Sequence, residues 1–390
     1  MNYILFDDTS RVDLLPFTFT RPVADIRVGI LTIREKWEYV LKKTTSSKTE
    51  LYLSKKFPLI TTSENVWING AVCPNQQLVE EVKKLKTNQA LFLSDVMIAC
   101  NTGSKKELDE AGEFEKVESK SQFLKIANVW DVFSKNEEAI KSDFEIITKG
   151  RKSQPISATN QVIKPEHVFI EEGAKVECAI LNASTGPIYI GKDAEIMEGA
   201  IARGPFALCE HSTLKLGAKI YGPTTIGPHS KVGGEVNNSV IFGFSNKAHD
   251  GFLGNAVIGE WCNIGADSNN SNLKNNYAQV KLWNYHKERF VNTGLTFCGL
   301  MMGDHSKCGI NTMFNTGTVV GVNANIFGAG FPRNFVPSFS WGGAAGFTTY
   351  KLTDAFEVAS RVFERRGMVF NETEQEILTH VFEVTEKYRK

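Results

Sequence analysis

The chain has 390 residues with 44 basic and 44 acidic side chains, so its formal charge is zero. Its 42% hydrophobic and 23% charged residues are those of an ordinary globular protein. The length predicts two or three domains with a large core, and the charge balance argues against a nucleic-acid partner held by a bulk positive field. The seven cysteines are odd in number and scattered, with no CxxC pair, and predict neither a disulfide framework nor a zinc site. No apolar run approaches the roughly 18 residues needed to span a membrane. The opening MNYILFDDTSR lacks the basic-then-apolar form of a signal peptide. The expectation is a cytoplasmic protein with no membrane partner.

Residues 1–150 read as an α/β domain. An apolar strand at Tyr3–Phe6 precedes a helix near Ile30–Lys42. Apolar runs at Val66–Ile68 and Ala90–Ala99 flank an amphipathic segment, Gln77–Leu85. The charged stretch 103–120 reads as loop and Trp130–Ile140 as helix. Polar residues around Pro155 mark a linker, placed at 151–164.

The middle of the chain is a different polymer. Of 32 glycines, 26 lie in 151–346, where only 16 basic and 14 acidic residues occur. Steps of six from Ile190 give Ile196, Ala202, Leu208, Leu214, Ile220, Ile226 and Val232. Shorter ladders run Phe252, Ile258, Ile264, and then Met302, Cys308, Phe314, Val320, Ile326. Neither a helix nor a flat strand has that period; a β-helix of hexapeptides does, with one side chain per hexad stacked in a narrow core. This predicts such a domain over 165–346. Both breaks between ladders exceed a multiple of six by two, which predicts loops leaving the coil near 234–250 and 267–295. Two helices follow in a C-terminal tail, 347–390, the first capped by Thr353 and the second by Asn371 with Glu374.

The segment SNKAHDGFLGNAVIGEWCNIGADSNNSNLKNNY (245–277) resembles the acetyltransferase domain of the bifunctional glucosamine-1-phosphate acetyltransferase and N-acetylglucosamine-1-phosphate uridylyltransferase family. That resemblance implies a left-handed parallel β-helix, a homotrimer with active sites between subunits, and acetyl-CoA as acyl donor. It places His249 on the family's catalytic base, Asn263 and Asn272 on asparagines around sugar and acyl donor, and Ala266 on a backbone donor. The chemistry suits those residue types. Acylation needs a neutral amine, so imidazole must take the ammonium proton, and an N–H must stabilise the oxyanion. The chain departs from the family at Leu273, where a tyrosine stands, at Asn237, where a lysine grips phosphate, at Asp267, where NIGAG has glycine, and at Trp341, where arginine follows serine. These departures bear on the acceptor sugar and its phosphate. Lys247, Lys274 and Arg289 are candidate replacements for the lost charge, against a reading of each as solvated surface. A zinc site from His211, His229, His286 and His305 lacks both ligand spacing and paired carboxylates.

The opening LFDDTSRVDLLPFTFTRP resembles, more faintly, sugar-1-phosphate nucleotidyltransferases, whose glycine loop wraps a nucleotide phosphate. Arg11 and Pro16 fit that register. Asp7, Asp8 and Ser10 stand where small residues belong, and Arg21 and Arg27 are candidates to neutralise phosphate. ALFLSDVMIA (90–99) resembles the family strand ending in a metal-binding aspartate, which would make Asp95 a Mg²⁺ ligand. The expected substrates are a sugar phosphate, a nucleoside triphosphate and acetyl-CoA. Alternatives are a single-activity transferase, with either domain silent, and a non-enzymatic trimeric scaffold.

Overall fold

The computed structural model describes residues 1–103, 108 and 113–389. They form two compact units, one of Met1–Leu14, Thr20–Ile26 and Leu31–Asn128, the other of Leu15–Phe19, Arg27–Ile30 and Val129–Lys390.

The first unit is an α/β sheet of β1 (Asn2–Phe6), β2 (Thr45–Lys48), β3 (Asn65–Asn69), β4 (Gln89–Leu93), β5 (Val96–Gly103) and β6 (Glu115–Glu118), ordered β2-β1-β3-β5-β4-β6. Helix α1 (Ile33–Leu41) starts at a full capping box. The Thr32 hydroxyl accepts from the Glu35 N–H at 3.1 Å, and the Glu35 carboxylate accepts from the Thr32 N–H at 2.6 Å. Its buried face carries Trp37, whose indole donates to the Val72 carbonyl at 2.7 Å. Asn75 caps α2 (Gln76–Lys83). The run Ala90–Ala99, expected as one strand, is a hairpin. Ser94 takes a left-handed φ of 51°, and β4 and β5 pair antiparallel. Of the expected loop 103–120, residues 104–107 and 109–112 lie outside the described residues. Glu115–Glu118 is an edge strand parallel to β4.

The second unit is a parallel β-solenoid. Among the described residues its walls are sheets of six, nine and ten strands, the last pair of the ten antiparallel. The eight-member ladder from Ile190 to Val232 is buried throughout and packs as one core. The first five members, Ile190 to Leu214, each stack on the residue 18 positions later, as Ala202 does on Ile220 and Leu208 on Ile226. The five residues of the Met302 ladder are equally buried.

The two breaks have different origins. Ile220 stacks on Val236, Ile226 on Ile241 and Val232 on Lys247, steps of 16, 15 and 15 residues. No loop leaves the coil at 234–250; the coil itself contracts, and three short strands continue the walls. The ladder then resumes at Leu253, which is buried, while Phe252 is half-buried. The second break is the insertion expected. Ile258 stacks on Met302, 44 residues on, and the excess folds outward as an antiparallel hairpin, Lys281–Asn284 with Arg289–Asn292.

Helix α4 (Asn136–Thr148) packs on the solenoid strand Thr224–Ile226, and the short α3 (Asp131–Ser134) packs against α4. Asn136 accepts from the Gly29 N–H at 2.7 Å and donates to the Thr225 hydroxyl at 3.1 Å. At the tail, α5 (Leu352–Glu364) begins at Lys351, so Thr353 lies inside the helix. Asn371 does cap α6 (Glu372–Val384). Along one solenoid corner, left-handed residues of successive coils stack ring on ring. His211, His229, Phe244 and Trp261 are spaced 4.3–4.8 Å, and Phe363 of α5 covers Trp261 at 4.1 Å.

Candidate functional site

His249 lies in the turn that follows Lys247. Two glycines let the coils close around that turn. Gly234 has φ +70°, and a β-carbon there would stand 2.8 Å from the His249 carbonyl oxygen. Gly251 has φ +109°, and its β-carbon would meet the Ser268 carbonyl at 2.2 Å. The next coil's turn, Gly265–Ser268, stacks directly above, with the Asp267 N–H donating to the Asp250 carbonyl at 3.0 Å. The His249 side chain is exposed.

Beneath it lies a residue that the sequence reading treated as solvated surface. Lys247 holds a core position above Val232 and is 2% exposed. Its ammonium donates to the carbonyls of Gly233 at 3.0 Å, His249 at 2.6 Å and Asp250 at 3.3 Å. A buried ammonium must be paired or hydrogen-bonded, and here the loop backbone does this. Burial drives its pKa from 10.5 down to about 8, against the opposing pull of Asp250 and Asp267. The contracted coil hides the signal, since Lys247 falls outside the hexad count and is core only by register.

Ala266 sits half-buried in the stacked turn, its carbonyl accepting from the Asn311 N–H at 2.8 Å. Asn263 is exposed on the strand leading to that turn, between Asn246 and Lys307 of adjacent coils. The stacked turns thus bring His249 next to Ala266, with Asn263 on the same wall. Asn272 lies beyond the next strand, where its amide donates to Asn255 at 2.8 Å and its carbonyl accepts from the Cys298 N–H at 2.9 Å. Asn270 is nearly buried and grips Gly254 through both amide atoms, at 2.8 and 2.9 Å. The asparagine-rich run 269–276 was the sequence signal for it.

In the first unit the two aspartates after β1 are internally paired. Asp7 accepts from the Val23 N–H at 2.7 Å, the Thr49 hydroxyl at 2.5 Å and Arg11 at 3.0 Å. Burial raises its pKa, with Arg11 pulling the other way. Asp8 accepts from Lys125 at 2.7 Å, Asn69 at 2.9 Å and the Ser10 N–H at 2.9 Å. Burial pushes its pKa up, but the bonds led by Lys125 outweigh that and hold it below the usual range. Arg11 is buried, reaching the Tyr52 hydroxyl at 3.0 Å and the Arg21 carbonyl at 3.1 Å; Arg21 is buried too. Arg27 belongs to the second unit, its guanidinium buried against the Phe242 carbonyl at 3.1 Å. Asp95 is exposed in the β4–β5 turn, where Glu118 accepts from the Ser94 N–H at 3.3 Å. That is a hairpin tip, unlike the strand end that the resemblance assumed. Among the described residues no group of three His, Cys, Asp or Glu side chains converges as a metal site.

Residues 3–152 match the family model described as sugar nucleotidyl transferase. The bifunctional protein GlmU of Wolbachia pipientis wMel is 25% identical over 263 residues, 58% of this chain and 59% of that protein. The bifunctional sugar-1-phosphate nucleotidylyltransferase/acetyltransferase of Sulfurisphaera tokodaii is 28% identical over 144 residues, 36% of this chain and 35% of that protein. GlmU of Methanocaldococcus jannaschii is 34% identical over 89 residues, 23% of this chain and 21% of that protein. Over these stretches the chain is similar to bifunctional nucleotidyltransferase/acetyltransferase proteins.

The chain spans less than two thirds of the length of the curated relatives it matches. Two of the departures from the motifs that the sequence resembles fall at distinct places in the structure. One is the loop after β1, where aspartates stand in place of glycines. The other is the insertion after Asn272, which carries Leu273 and builds its own hairpin.

Proposed function

We propose that the second unit transfers an acetyl group from acetyl-CoA to an amino sugar or its phosphate, with His249 as general base. One observation carries this reading: an exposed imidazole on a turn fixed between two glycine-closed coils and anchored from inside by Lys247. A neutral imidazole takes the proton that the amine loses on attacking the thioester carbonyl. The N–H groups of the stacked turn around Ala266 would stabilise the oxyanion, and Asn263 offers an amide to sugar hydroxyls. A homotrimer would complete each site from a neighbouring subunit. The test is acetyl transfer from acetyl-CoA to glucosamine-1-phosphate by the full chain. His249→Ala is expected to lower kcat by about 10²–10⁴ with the fold retained. An unchanged kcat removes His249 from the reaction.

For the first unit, the family match supports nucleotidyl transfer to a sugar-1-phosphate. Mg²⁺ would neutralise the triphosphate, with Asp95 and Glu118, on or bonded to one turn, as the available carboxylates. A second reading, acetyl transfer alone, is favoured by the pairing of Asp7 with Arg11 and Asp8 with Lys125, which occupies the cations nearest the expected phosphate loop. Titration of the full chain with UTP or dTTP, with and without Mg²⁺, separates the two. Mg²⁺-dependent turnover to a nucleotide sugar supports the first, and absence of both binding and turnover supports the second.

A further inference from the structure

The inserted hairpin builds a groove that neither the hexad motif nor His249 accounts for. It encloses about 700 Å³, within the range of small-molecule sites. Its apolar lining is aromatic. Trp283 and Phe335 stack at 4.3 Å, and Phe290, 42% exposed, meets Trp283 edge-on at 5.5 Å. Tyr388 of the tail buttresses both Trp283 and Phe335, at 6.2 and 5.7 Å, and Glu288 at the hairpin turn is bonded to Lys387 and Tyr388. The shelf is therefore held in place before any ligand arrives.

Lys274, Lys281 and Arg333 also line this groove. Among the described residues none of the three is paired with a carboxylate. Lys274 donates to the Gln279 carbonyl at 3.2 Å, and Arg333 lies over the Phe347 ring at 5.3 Å. Three unpaired cations around an aromatic shelf, in a chain of zero net charge, call for a ligand that is both planar and anionic. The groove continues into a second cleft of about 510 Å³ that shares Lys274, Thr316 and Asn334 and adds Asn275, Asn276 and Asn315. Neutral amides donate and accept at once, which suits hydroxyl or amide groups and offers nothing to a bare hydrocarbon.

We propose that this groove binds a nucleoside diphosphate: the base on the Trp283–Phe335–Phe290 shelf, the phosphates on Lys274, Lys281 and Arg333, and a polar arm running into the asparagine cleft. Coenzyme A and a nucleotide sugar both have that chemistry, and the assignment of either as substrate rests on the acetyltransferase reading, whereas the binding does not. The test is calorimetric titration of the full chain with coenzyme A in one arm and UDP-N-acetylglucosamine in the other. It is repeated on Lys281→Ala/Arg333→Ala and on Phe290→Ala, each checked for an unchanged thermal midpoint. At least one arm is expected to bind, with Kd raised about tenfold or more in both variants and indole fluorescence quenched on saturation. Coenzyme A responding identifies the acyl donor, and the sugar responding identifies a nucleotide-sugar site. If neither binds, or if the variants leave Kd within about twofold, the groove is not the site. His249→Ala is expected to bind like the parent, so loss of catalysis and loss of groove binding are read separately.

Discussion

Lys247 stands where a valine stands one coil below, and its ammonium takes the place of a methyl pair in the core. Its pKa is depressed, so between about 8 and 10.5 the unfolded chain holds a proton that the folded chain has released. Stability contributed through this group therefore rises with pH across that window and is lowest below it. The full excursion amounts to at most about 3 kcal/mol. Lys247→Met is expected to lose that pH dependence, so the parent's urea midpoint should rise relative to the variant's between pH 7 and pH 10. Parallel curves would show that Lys247 is not the buried titrating group. The variant also takes the ammonium donor from the carbonyls of Gly233 and His249 and leaves Asp250 only its bond from the Asp267 N–H, at about 1–3 kcal/mol for such a loss, and should slow the proposed acetyl transfer through a loosened His249. The histidine could be singled out in the sequence because the resemblance runs without gaps from His249 onward. The lysine was not, because a charged residue reads as surface until the register shows which wall it faces.

At the scale of elements, the ladder from Ile190 to Val232 could be read directly, since one core position per hexad fixes both its period and its burial. Arithmetic alone failed at the breaks. An excess of two residues over a multiple of six can arise from an extruded loop or from shortened coils, and only strand pairing distinguishes them. Coils of 15 to 17 residues between Val232 and Ile264 need tighter corners, and Gly251 supplies one of these. Gly251→Ala introduces a β-carbon 2.2 Å from the Ser268 carbonyl at φ +109°, so a loss of about 2 kcal/mol or more is expected. The proposed acetyl transfer should fall further than stability alone accounts for. A variant with parental melting and activity would mean the two coils can separate at no cost. In the first unit, periodicity located α1, α2 and β3. It fused β4 with β5, because the turn at Ser94–Asp95 carries neither glycine nor proline.

The whole chain is neutral, with 44 basic and 44 acidic side chains, yet that balance is not kept locally around the groove. Asp7 is paired with Arg11 and Asp8 with Lys125, while among the described residues Lys274, Lys281 and Arg333 have no carboxylate partner. Groove binding should accordingly weaken as salt is raised. Three chains of 43.3 kDa would sediment together at about 130 kDa if the acetyltransferase reading holds, and a 43.3 kDa species at working concentration would leave each site without its neighbour.

The corner stack has an optical consequence. Trp261 lies between Phe244 and Phe363, one ring from the solenoid and one from α5. Removing the tail from Leu352 onward would expose one indole face to water, shifting its emission to the red and weakening the near-ultraviolet dichroism of the stack. In the difference spectrum against Trp261→Phe, docking of the tail can then be followed as light, independently of catalysis.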